Sequence, residues 1–171
     1  TQAQCAGTVI TPITYATTGV TGATFIGLPT GINGNWASNV ATISGGTTTQ
    51  VGTYTYTIQI TSGCDTATAT GTIVIGGVPI ISSVSVASGT SGTNVTINGT
   101  NLVANSASTV TIGGIPATVT SATRTMIIVS LPTGSSGGNI VVTNSCGLSS
   151  TSFAYPYTAP TNINLSSSTF N

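Results

Sequence analysis

Residues 53–60 alternate without a break. Tyr54, Tyr56, Ile58 and Ile60 share one side, and Thr53, Thr55, Thr57 and Gln59 share the other. A period of two marks a strand with one face on a core and one in water. Ser62, Gly63, Cys64 and Asp65 turn the chain, and residues 67–75 return to close a hairpin. A second hairpin is expected over residues 110–119. Val110 and Ile112 share a face there, and Gly113 and Gly114 can take the positive φ of a tight turn. Pro116 has no N–H to donate to a ladder, so the second strand of this hairpin should lie at a sheet edge.

Shorter runs fill the rest. Strands are expected at 3–8, 12–15, 23–28 and 36–44, with Asn33-Gly34-Asn35 as a turn before the last. Further along they are expected at 80–87, 94–99, 126–131, 139–144 and 152–155, with Leu102 falling back onto the core. The nearly continuous apolar run of 126–131 marks a central strand. Gly76-Gly77-Val78-Pro79 is a short linker that leaves limited swing. The pattern predicts an all-β chain of two tandem β-sandwiches, residues 1–77 and 78–157, followed by a strand-like tail, 158–171. In the tail, Ile163 and Leu165 alternate with Asn162, Asn164 and Ser166. It reads as the start of a further repeat or as a strand donated to a neighbour's open edge.

Charge changes the picture more than any motif. Soluble domains carry roughly a quarter charged residues; this chain carries 1%, namely Arg124 and Asp65, with no His and no Lys. Thr makes up roughly a fifth and, with Ser, Gly and Asn, fills the polar positions. Nucleic acid is excluded as a partner, because binding phosphate takes several Lys or Arg. Acid–base catalysis and hydrolytic triads need titratable partners that are missing, so no enzyme is expected. Zinc and calcium lack their ligand sets, and no cofactor is expected. No apolar run is long enough to span a bilayer. The opening Thr1-Gln2-Ala3-Gln4 is polar, which fits a mature chain or a fragment. A surface without repelling charges favours association between copies.

Cys5, Cys64 and Cys146 allow three single pairings, each leaving one thiol. Cys5–Cys64 is favoured because both lie in the first half, and it would stabilise by up to about 4 kcal/mol. Cys146 would then be a buried free thiol or a link to another chain. A disulfide implies an oxidising compartment outside the cytosol.

Two stretches resemble known families. Residues 27–31 (Gly-Leu-Pro-Thr-Gly), 41–45 (Ala-Thr-Ile-Ser-Gly) and 52–57 (Gly-Thr-Tyr-Thr-Tyr-Thr) resemble the Ig-like repeats of large bacterial surface proteins. The opening Cys-Ala-Gly-Thr and the later Ser-Gly-Cys are similar to the cysteine-bearing version in secreted adhesins; the usual Pro after the Ile-Ser-Gly motif is missing. Pro79, the run from Gly92 to Leu102, Val110-Thr111-Ile112-Gly113-Gly114, Ala117 and Phe153-Ala154-Tyr155 resemble the IPT/TIG immunoglobulin-like family. The resemblance implies immunoglobulin-like sandwiches. It implies roles in bacterial surface proteins, cell-surface receptors, accessory domains of glycan-degrading enzymes or DNA-binding factors. The last needs basic loops, and this copy has only Arg124. The tail resembles the first strand of a cadherin-like repeat.

Attached sugar is the remaining chemistry. Asp65-Thr66-Ala67 resembles the O-glycosylation sequon of some Gram-negative bacteria, with Thr66 as acceptor; the other reading is an ordinary Asp turn. Asn94, Asn98 and Asn164 head N-linked acceptor triplets, which also arise by chance in Asn- and Thr-rich chains. Trp36 and the five Tyr are candidates for a sugar-stacking surface, against packing in the core. The sequence points to a non-enzymatic, extracellular structural protein of a bacterial cell surface. It would be a self-associating fibre subunit or an adhesin stalk segment, contacting its own copies or adjacent Ig-like repeats. The alternatives are a module binding glycans or a host surface, and accessory domains of a secreted enzyme.

Overall fold

A computed structural model describes residues 1–46, 49–63, 65–85, 91–104, 106–135 and 137–155. The described secondary structure is all strand. The first half holds β1 (Gln2–Cys5), β2 (Ile13–Ala16), β3 (Gly22–Ile26), β4 (Ile32–Ala37), β5 (Val40–Gly45), β6 (Gly52–Ser62) and β7 (Asp65–Gly76). The second holds β8 (Ile80–Val84), β9 (Asn94–Thr100), β10 (Thr109–Ile112), β11 (Ile115–Ala122), β12 (Met126–Ser130), β13 (Gly138–Thr143) and β14 (Phe153–Tyr155).

The first half is two sheets, ordered β1-β7-β6-β3 and β2-β5-β4. Their inner faces meet in one cluster: Ile32, Ala41 and Ile43 from one sheet, Tyr56, Ile58, Ile73 and Ile75 from the other. The alternation of residues 53–60 holds, with Tyr56 and Ile58 buried and Thr53, Thr55 and Gln59 exposed. Tyr15 and Tyr56 join the sheets through their hydroxyls at 2.9 Å. Asn33-Gly34-Asn35 is not a turn but part of β4. The ring of Phe25 lies where a Cβ on Gly34 would stand, so Gly34 supplies close packing rather than a bend. The turn comes later, at Ser38 and Asn39, which take φ of 50° and 62°. The expected strand 36–44 is therefore two strands, β4 and β5.

The second half is one seven-stranded sheet, ordered β14-β13-β10-β11-β12-β9-β8. It folds over at β11, whose residues Ile115–Ala117 pair with β10 and whose later residues, from Thr118, pair with β12. A register shift between Val119 and Ser121 marks the bend. The two flaps close on one core, with Val110, Ile112, Ile140, Val142 and Tyr155 against Val95, Ile97, Ile127 and Val129. Leu102 is fully buried in it, as expected. Gly113 and Gly114 form the two-residue turn with φ of 59° and 82°. Pro116 stands opposite Thr111, in the part of β11 that has no partner on its other side. Both halves are immunoglobulin-like β-sandwiches.

The cysteine pairing differs from the expectation. Cys5 bonds Cys146, with 5.6 Å between the Cα atoms, and not Cys64. The reason is strand direction. β1 runs parallel to β7 and sets Cys5 beside Gly76, at the end of β7 next to the linker. Cys64 itself lies outside the described residues. Its neighbour in sequence, Asp65, opens β7 at the other end, eleven residues and so about 36 Å from Gly76 along the strand. A disulfide needs Cα atoms within about 7 Å. Cys146 is thus neither a buried free thiol nor a link to another chain. The tail, with Asn164 and the donor-strand candidates Ile163 and Leu165, lies outside the described residues.

Candidate functional site

Among the described residues, the most elaborated polar site is the joint between the two sandwiches. It is organised by Asn144, which follows β13 and is only 3% exposed. Thr143 and Ser149 bridge the base of the loop after β13. Asn144 shapes that loop: its N–H donates to the Leu148 carbonyl at 3.0 Å, and its carbonyl accepts from Gly147 N–H at 2.9 Å. Its Oδ1 accepts from the N–H of Cys146 at 3.0 Å and of Leu148 at 3.4 Å. This holds Cys146 in place for its bond to Cys5.

The other end of the same side chain holds the linker. Asn144 Nδ2 donates to the Gly77 carbonyl at 2.8 Å and to the Asn101 carbonyl at 3.3 Å. Asn101 takes φ of 54°, which Asn tolerates better than most residues, and its Nδ2 donates to the Val78 carbonyl at 3.4 Å. Arg124 braces the same corner, with Nη2 donating to Asn101 Oδ1 at 3.2 Å and Nη1 to the Val103 carbonyl at 3.5 Å. The only cation among the side chains is therefore half-buried and engaged. The linker glycines permit the close approach. A Cβ on Gly76 would meet the Ala104 methyl at 2.8 Å, and one on Gly77 would strike Val51. A disulfide, a buried amide and two side-chain-free linker residues thus fix the joint.

The remaining sequence candidates are scattered. Thr66 is exposed in β7 just after the hairpin turn. Asn94 and Asn98 lie on the exposed face of β9, and Asn98 Nδ2 donates to Ser83 Oγ at 3.2 Å. Trp36 is half-buried against the first core, with Nε1 donating to Thr17 Oγ1 at 3.1 Å. Tyr56 is buried, and its hydroxyl is pushed up to about 12, first by burial and then by the hydrogen bond and charge of Tyr15. Among the described residues no three His, Cys, Asp or Glu stand together as a metal cluster. Two shallow grooves lie on the first sandwich. One, of about 490 Å³, runs between the edge strands β3 and β4; the other, of about 310 Å³, lies beside Tyr15 and Gln2.

Asn144 was not singled out from the sequence. Its one signal is the run Asn144-Ser145-Cys146-Gly147, an Asn two residues before a loop cysteine.

No curated protein matches the chain. Among solved structures, it is similar to an auxiliary nutrient binding protein from Bacteroides thetaiotaomicron, at 25% identity over 47% of this chain and 21% of that one (TM-score 0.38). It is similar to the Bacteroides ovatus mixed-linkage glucan utilization locus protein SGBP-B in complex with a mixed-linkage heptasaccharide. That match is at 18% identity over 90% of this chain and 42% of that one (TM-score 0.33). The titin domains Z1Z2 in complex with telethonin match at 11% identity over 93% and 96% (TM-score 0.37). The chain thus spans under half the length of either Bacteroides protein. The model of the IPT/TIG domain matches residues 79–158. With its folded-over sheet, this second half of the chain is an IPT/TIG domain.

Proposed function

We propose that the chain is a non-enzymatic structural segment of an extracellular surface protein, a length of stalk whose two sandwiches are held in fixed relation. The observation that carries this reading is the Cys5–Cys146 bond across the joint. Tandem domains with a small interface move against each other by default. Here the linker is also held by Asn144, so the freedom a short Gly-Gly linker leaves is removed. A part that must keep distance gains from that, and the disulfide suits an oxidising compartment. The near absence of proton-transferring side chains argues against catalysis.

Among structural roles, the stalk is favoured over a fibre built by strand donation. The first sandwich has four and three strands, and the second has seven. Among the described residues neither lacks a strand for a neighbour to supply, so a donated tail has only outer edges to join. A glycan surface finds little support, since Trp36, Tyr15 and Tyr56 are engaged in packing and hydrogen bonds.

Small-angle scattering of the purified chain tests the reading. The oxidised protein should give one sharply defined maximum dimension that broadens on reduction. An oxidised profile that already requires a wide range of arrangements would contradict it.

A further inference from the structure

Cys5 and Cys146 stand 141 positions apart in a chain of 171. Their bond closes a covalent ring that contains β2 to β13 whole. The first hydrophobic core lies entirely inside the ring, and so does the second apart from Tyr155. About 30 residues lie outside: the first four, which belong to β1 or precede it, and those after Cys146, which include β14.

We propose that the Cys5–Cys146 bond is a tension shunt. A pull between the two ends of the chain runs along β1, through the sulfur–sulfur bond and out along the segment after Cys146. The two sandwiches hang from that line as a ring that is loaded only through the ladders of β1 and β14, and not at all once those strands come away. As a device with a use, the shunt rests on the stalk reading; as a path for force, it follows from connectivity alone.

The strands outside the ring are placed to suit this. β1 lies along the last residues of β7, with Gln2 beside Ile73 and Cys5 beside Gly76. β14 lies along the start of β13, with Tyr155 opposite Gly138, at the end away from Asn144. The loaded segments leave the joint in both directions, each lying along its own sandwich. The pull therefore acts along each strand and loads its ladder bonds together rather than one by one. Asn144 keeps Cys146 seated by accepting from its N–H and holds the adjoining Gly77 carbonyl, so the joint stays closed where the line of force crosses it. Without the bond, the same pull would pass through every strand of both sandwiches in turn.

The two cases differ in length. An extended chain spans about 3.4 Å per residue, so the segments outside the ring release at most ~100 Å. Opening the ring adds ~480 Å more, close to a fivefold gain. The test holds the full chain by handles at its two ends in a force spectrometer. Oxidised molecules should release no more than ~100 Å up to the force at which the handles fail. Adding a phosphine reductant to the same preparation should bring in the further ~480 Å as one or two sandwich-unfolding steps. Cys64→Ser should behave as the parent, and Cys5→Ser should release the long length without reductant. Long release from the oxidised parent, or no change on reduction, would overturn the proposal. A shunt seen by force alongside a broad scattering profile would refute the stalk reading and leave the shunt standing; long release from the oxidised parent would refute both, since both rest on the Cys5–Cys146 bond.

Discussion

Replacing Asn144 by Ala tests whether one buried amide governs the joint. The side chain makes two bonds of full strength, to Gly77 O at 2.8 Å and from Cys146 N at 3.0 Å, and two longer ones to Asn101 O and from Leu148 N. Each lost partner leaves a backbone group short of a bond in a buried corner, at about 1–1.5 kcal/mol for the two short ones and less for the others. The sum is about 3 kcal/mol. For a chain of this size that lowers the melting temperature by about 6–12 °C. Asn144→Asp separates polarity from packing. It keeps the acceptor for Cys146 and Leu148 but turns an acceptor toward the carbonyls of Gly77 and Asn101. At pH 7 it should be at least as destabilised as the Ala variant. The site raises the new carboxyl's pKa above its unfolded value, so the protonated form is the one the fold favours. Stability should therefore recover as pH falls toward about 4. Scanning calorimetry of the oxidised proteins reads all three. An Ala variant within about 2 °C of the parent, or an Asp variant as stable as the parent at pH 7, would refute the reasoning.

Three further outcomes follow from the same structure. Removing both partners of the disulfide, Cys5→Ser with Cys146→Ser, should cost up to about 5 kcal/mol in the chain-entropy model for so long a ring, while Cys64→Ser should leave the denaturation midpoint unchanged. Tyr56 ionises near 12 in the fold against 10 unfolded, so its contribution is complete below pH 10 and is lost between pH 10 and 12. That loss is about 3 kcal/mol, and a Tyr56→Phe variant whose alkaline denaturation profile matches the parent's would contradict it. In the turn of β10 and β11, Gly114→Ala meets only the positive φ and should cost about 1 kcal/mol. Gly113→Ala also meets the Gly137 carbonyl and should cost distinctly more, as urea midpoints will show.

Features set by neighbours in the chain were legible in the sequence. The alternation of residues 53–60 and the Gly113-Gly114 turn are local, because a strand's period and a glycine's φ depend on little else. Features set by distant neighbours were not. Gly34 sits between two Asn as a turn residue would, yet the ring of Phe25, from the facing sheet, claims the space beside it. The cysteine pairing failed for the same reason. Sequence proximity favours Cys64, but which end of the sandwich Cys5 reaches depends on β1 running parallel to β7. Nothing in Gln2-Ala3-Gln4-Cys5 records that direction. Asn144 was hidden by composition: in a chain rich in Asn, only the backbone groups around it distinguish it from the rest.

The joint stands or falls on which cysteines are bonded. Proteolysis of the unreduced protein followed by mass mapping reads this directly. The account predicts one crosslinked peptide pair containing Cys5 and Cys146, with Cys64 recovered as a thiol. A crosslinked pair containing Cys64 with either of the others would contradict it.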